Sequence, residues 1–115
     1  MGFDKSEERE ITFLVRSMIT TLNEKNPEGY IQTLSDHFIK VTYGDKEFIR
    51  RNIQDFGHID LLEFEVILLK TYTSTVYYKL IHTSKNGVKT NFYGEMILVK
   101  SKEGWQIYYV SEEVE

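Results

Sequence analysis

Lys79 is the one charged residue in an otherwise apolar alternating row. The expected strand register sets it opposite Gly94, whose missing side chain leaves room beside it. A lysine placed there could bind an anionic ligand, or act as a base or imine-forming amine if its surroundings held its pKa down. It could equally lay its stem along the sheet and put its ammonium in water, with Gly94 marking a bend or bulge. Tyr30, Tyr77 and Tyr109 could bring hydroxyls to the same cavity, with Met96 in its wall, because pockets need a few polar groups among many apolar ones. The same tyrosines also suit an ordinary amphipathic core. Asp36 is the second candidate base. It adjoins His37, but neighbours on a strand point to opposite faces, so the two do not form an acid–base pair.

Other chemistries find less support. The sequence has no cysteine, which removes thiolate nucleophiles, disulfides and cysteine-held zinc or iron–sulfur sites. His37, His58 and His82 lack metal-ligand spacing; His82 is expected on the outer face of the sheet across from Glu63, and His58 in a loop. Glu63, Glu65 and Glu95 fall on that outer face but are spread over different strands. Thr33 and Ser35 have no oxyanion-hole context. No cofactor and no metal are expected. The net charge of −4 argues against a nucleic-acid partner, which would require a basic stripe. No apolar run approaches the ~20 residues needed to span a bilayer. The polar, acidic start at Met1–Glu8 is unlike a secretory signal, so a cytoplasmic protein is expected.

The elements that must position these residues follow from periodicity. The 115 residues fit one domain, 1–115, with an ordered core over about 6–110. Ile11, Leu14, Val15, Met18, Ile19 and Leu22 recur at three-four spacing and predict a helix over Ser6–Asn26. Asn26-Pro27 ends it and opens a short second helix running to about Ser35. The β-branched and aromatic residues of His37–Tyr43 predict a strand. Asp45 then caps a third helix, Lys46 to about Phe56, and Gly57 stops it.

From Ile59 to Val110 the chain reads as four antiparallel strands. Asn86-Gly87 at a two-residue hairpin tip pairs Ile81 with Phe92, Lys79 with Gly94 and Tyr77 with Met96. Four-residue turns at Thr71–Ser74 and Ser101–Gly104 pair Leu68 with Tyr77 and Leu98 with Ile107. One face then holds Leu62, Phe64, Val66, Leu68, Ile81, Phe92, Met96, Leu98, Trp105 and Ile107. The other holds Tyr78, Leu80, Tyr93, Ile97 and Tyr108, too apolar for a solvated face, so a homodimer through it is expected.

This element order, with Leu34-Ser35-Asp36-His37-Phe38 before the first strand and Gly104-Trp105-Gln106-Ile107 opening the last, resembles the nuclear transport factor 2-like superfamily. Ketosteroid isomerase and the polyketide cyclases are among its members. The resemblance covers about Ser6 to Val110. It implies an α+β, cystatin-like fold: a cone-shaped, curved antiparallel sheet wrapped on three helices from the N-terminal half, in the order α-α-β-α-β-β-β-β. It also implies a ligand pocket at the cone's open end and dimerisation through the outer sheet face. Ketosteroid isomerases depend on pocket carboxylates, and no carboxylate is expected on the inward face of these four strands. A small-ligand-binding domain is therefore the leading reading, with an isomerase-, cyclase- or hydratase-type enzyme and a non-catalytic interaction module as alternatives.

Overall fold

The computed structural model describes residues 5–115, so the Met1–Asp4 part of the polar start lies outside the described residues. Helix α1 spans Lys5–Asn23 and buries Ile11, Leu14, Val15, Met18, Ile19 and Leu22, the expected stripe. Both its ends are tied to the sheet. The Asn23 side chain exchanges two hydrogen bonds with the Ile59 backbone, at 2.9 and 2.8 Å. At the other end Glu7 accepts from Lys100 Nζ at 2.6 Å and from Trp105 Nε1 at 2.8 Å. Helix α2, Pro27–Gln32, is capped by the Asn26 side chain with Pro27 in its first turn.

The expected strand at His37–Tyr43 is instead a helix, α3, Asp36–Thr42. Ser35 caps it by accepting from Phe38 N at 3.1 Å, and Asp36 sits in its first turn, where the helix dipole favours a negative charge. Ile39 and Tyr43 share one face at i, i+4, and Gly44, at φ +92°, stops the helix. Capping and burial of Ile39 thus outweigh β-propensity. The only extended pairing near this segment among the described residues lies ahead of it, a single parallel bridge from Leu34 to Ile107. Helix α4, Lys46–Asn52, capped by Asp45, runs into a 3₁₀ turn at Ile53–Asp55. The fold class stands, with four helices where three were expected.

Strands β1 (His58–Leu69), β2 (Thr73–Thr83), β3 (Lys89–Ser101) and β4 (Gly104–Val114) form one antiparallel meander in the order β1-β2-β3-β4. Its register departs from expectation by one residue at the β2–β3 hairpin. The loop has three residues, Lys85-Asn86-Gly87: Gly87 N donates to Ser84 O, Ser84 N donates to Val88 O, and Gly87 takes φ +87°. This is the three-residue hairpin in which a tight turn is followed by a glycine in the left-handed region. Tyr78 therefore faces Gly94, Val76 faces Met96 and Leu80 faces Phe92. The slip turns every β2 side chain to the other face. Energy favours it, since Val76, Tyr78 and Leu80 become buried in place of a lysine.

Three residues have no partner across the ladder: Leu62 and Ile67 in β1, and Tyr108 in β4. Each marks a bulge, which bends its strand and restarts the alternation. Phe64 and Val66 point inward as expected, whereas Leu62 and Leu68 are exposed by 53% and 46%. The inward face of the sheet packs on α1, through β1 and β4, and on α3, through β4.

Candidate functional site

On the concave face one row crosses the sheet from β1 to β4: Phe64, Tyr78, Gly94, Glu112. Gly94 is required by close approach. A Cβ there would strike Ser111 O and come within 2.7 Å of Glu112 Cα. The bare glycine also lets the Tyr78 ring, fully buried, reach over β3 so that its hydroxyl donates to Glu112 Oε2 at 2.5 Å. Glu112 belongs to the same alternation as Val110, and its side chain is exposed at the rim. A carboxylate thus stands on the inward side of the last strands, contrary to the sequence expectation. Among the described residues nothing donates to its other oxygen, Oε1.

A second polar pair lies close by. The hydroxyls of Tyr30 and Tyr43 are 2.8 Å apart. Tyr43 stacks on Phe56, with centroids 5.3 Å apart and planes 7° from parallel, and meets Phe38 and Tyr30 edge-on. Burial raises the pKa of all three concave phenols. For Tyr43 the negative charge of Glu112 adds to that effect, and for Tyr78 the hydrogen bond to Glu112 does so. At neutral pH these tyrosines are neutral hydrogen-bonding groups, and Tyr78 donates directly to the one carboxylate of the row.

Of the residues expected to line a pocket, Tyr30, Gly94 and Met96 lie on this face. Tyr77, Lys79 and Tyr109 lie on the convex face, because of the β2–β3 loop and the Tyr108 bulge. Lys79 Nζ pairs with Glu115 Oε2 at 3.2 Å, which raises its pKa, so the lysine-base and imine readings lose their premise. Asp36 is exposed at the start of α3, away from the Tyr78–Glu112 row.

Of the residues expected on the outer face, Tyr78 and Leu80 are core. Tyr108 stacks on His37 at 4.4 Å, as a bulge residue turned toward α3. Tyr93, which donates to Glu113 at 2.7 Å, and Ile97 remain outside. His82 is turned inward by the same slip and bonds Phe56 O at 2.8 Å instead of facing Glu63. Among the described residues no group of three or more His, Asp or Glu side chains is arranged to hold a metal ion. No helix is long and apolar enough to cross a membrane.

A separate open groove of about 620 Å³ runs outside the sheet between α1, α2 and the β3–β4 turn, along Phe13, Leu14, Gln32 and Trp105. Its charged residues, Arg9, Glu10 and Glu103, are all exposed on its rim and do not converge on a point. The concave row is the more coherent chemical arrangement.

No protein-family model matches the sequence, and no curated protein matches it. Solved structures do match in fold. A protein of unknown function with a cystatin-like fold from Nostoc punctiforme is 14% identical, with a TM-score of 0.73 over 100% of this chain and 96% of its own. A protein of the nuclear transport factor 2-like family from Streptomyces avermitilis, provisionally named a dehydratase, is 7% identical, with a TM-score of 0.70 over 98% and 99%. A protein from Xanthomonas campestris, provisionally named a calcium/calmodulin-dependent protein kinase II association domain, is 14% identical, with a TM-score of 0.66 over 93% and 86%. The chain therefore has the nuclear transport factor 2-like, cystatin-like cone fold. Proteins of that fold carry differing functional names, and function has to be argued from the site.

Proposed function

We propose that this protein binds a small, partly apolar ligand at the concave face of its sheet, and that two copies associate through the convex face. The observation that supports the first part is the row Tyr78–Gly94–Glu112, which sets a carboxylate on the concave face against a buried phenol. Few polar groups among many apolar ones is the usual make-up of a ligand site. Titration with 2-naphthol, followed by amide chemical shifts, tests it. The expected result is saturable shifts centred on Tyr43, Tyr78 and Glu112, weakened in Glu112→Gln. Shifts confined to the Phe13–Trp105 groove, or none at all, would overturn it.

Association is supported by the convex row Leu68, Thr75, Ile97 and Tyr109, in which Leu68 and Tyr109 are exposed by 46% and 49%. Sedimentation at micromolar concentration should give a dimer, and Ile97→Asp a monomer, because the change buries an unpaired charge. A monomeric wild-type protein would end this part of the proposal.

A catalytic reading of the isomerase, cyclase or hydratase kind has one observation in its favour, the unpartnered Glu112 Oε1 beside neutral phenols. There Glu112 would take a proton from carbon while a phenol donates to the developing oxyanion. Exchange of solvent deuterium into 2-tetralone checks it: equal rates for wild type and Glu112→Gln would rule it out.

A further inference from the structure

The convex face changes character along its strands, and its charge decides how two copies can meet on it. Successive rows cross the sheet from β1 to β4. The row Leu68, Thr75, Ile97, Tyr109 carries no charge. One step toward the β2–β3 hairpin comes Glu65, Tyr77, Glu95, Ser111, and one step further Glu63, Lys79, Tyr93, Glu113. One step the other way, toward the β1–β2 turn, comes Lys70, Thr73, Val99, Gln106. There Lys70 N donates to Thr73 O at 2.8 Å, and Val99 lies between Thr73 and Gln106 in the ladder. The uncharged row thus has carboxylates on one side and an ammonium on the other. Among the described residues neither Glu65 nor Lys70 takes part in an ion pair, whereas Lys79 is held by Glu115 and Glu113 accepts from Tyr93.

Aligned packing of two such sheets, face to face, leaves two twofold arrangements. An axis along the strands lays each row on the same row of the other copy, with β1 over β4. It sets Glu63 against the partner's Glu113 at two places, carboxylate on carboxylate, and like charges so placed oppose association. An axis across the strands, through the Leu68–Tyr109 row, lays each strand on its own counterpart and reverses the order of the rows. Leu68, Ile97 and Tyr109 then meet their own copies. Neighbouring rows are about 7 Å apart, so Glu65 comes over the partner's Lys70, and the same pair repeats beyond the axis. The row of Glu63, Lys79 and Glu113 falls opposite the partner's turns, at the edge of the contact, where water reaches it.

We infer that two copies of this chain meet in the second way, about a twofold across the strands, with Leu68, Ile97 and Tyr109 at its centre and Glu65 paired with the partner's Lys70. The inference rests on the proposal that the convex face associates, and adds to it the geometry and the charge pair that fix it.

Charge reversal tests the pair. Glu65 and Lys70 are both exposed, so exchanging them leaves the fold intact. Glu65→Lys and Lys70→Glu should each weaken the dimer about tenfold in sedimentation, because each turns two attractions into two repulsions on the scale of exposed charge pairs. Glu65→Lys combined with Lys70→Glu should restore it. The chain has no cysteine, so a single introduced thiol reports the axis. Leu68→Cys should cross-link to itself through a short bismaleimide; about the other axis it would join Tyr109→Cys in a mixture of the two variants. If the wild type is a monomer, the association proposal fails and this inference with it. If the wild type is a dimer that Ile97→Asp dissociates, but the double change does not restore association or Leu68→Cys joins only Tyr109→Cys, association stands and this geometry is wrong.

Discussion

The two faces of this sheet are made from alternate residues of the same four strands, yet they solve the polar problem in opposite ways. On the concave face, hydroxyls and one carboxylate are threaded among aromatic rings, and each phenol is partnered: Tyr30 with Tyr43, Tyr78 with Glu112. On the convex face Glu63, Glu65, Glu95, Glu113 and Glu115 surround Lys79 and Tyr93, and the partners meet in water. Desolvation governs the first face and screened charge the second. The same residue type, tyrosine, is therefore perturbed for different reasons: Tyr30 by burial, Tyr93 by its hydrogen bond to Glu113.

The contrast between the faces depends most on Gly94. Gly94→Val drives a side chain into the Ser111–Glu112 backbone, and that strand cannot move without giving up the ladder. A loss of at least about 3 kcal/mol, at the upper end of overpacking costs, is expected in urea denaturation. Next comes Tyr78→Phe, which removes a buried hydroxyl bonded to a carboxylate. It should cost about 1.5 kcal/mol, because Glu112, at the rim, can be rehydrated.

The tyrosine titrations sharpen the contrast further. Followed by ring-carbon shifts, Tyr30, Tyr43 and Tyr78 should remain protonated past pH ~10, the ordinary value. Their folded-state pKa values lie above the unfolded ones. The stability they contribute is thus complete below pH ~10 and is lost as pH rises through the folded values. Added salt at about 1 M should shrink the shift of Tyr93, where a screened charge acts, and leave that of Tyr30 nearly unchanged. The smallest effect is expected at Lys79. Lys79→Ala removes a surface ion pair only, and its thermal midpoint should match wild type. A large loss there would mean that the two faces have been exchanged.

The sequence made the helical stripe of α1, the Asn26-Pro27 corner, the Asp45 cap and the meander legible, because each is written in local periodicity or capping chemistry. His37–Tyr43 misled through its β-branched and aromatic content, although Ser35-Asp36 ahead of it was a helix start of the same kind as Asp45. The hairpin loop misled by a single residue. Asn-Gly serves both the two-residue and the three-residue loop, so the turn alone does not fix the register. What fixes it is the cost of an inward Lys79 against an inward Val76, Tyr78 and Leu80, a term that a count of aliphatics overlooks. The bulges at Leu62, Ile67 and Tyr108 leave no local mark, and each shifts the alternation beyond it. Glu112 escaped for that reason: it lies past the last bulge and past Val110, where the expected apolar face had ended.

Tyr78 and Glu112 meet across Gly94 on the concave face. A double-mutant cycle with Tyr78→Phe and Glu112→Gln measures that contact directly. The cycle should return a coupling energy of about 1 kcal/mol or more between the two changes, as for residues sharing a hydrogen bond to a charged group. Additive losses, with coupling indistinguishable from zero, would contradict the register and the site built on it.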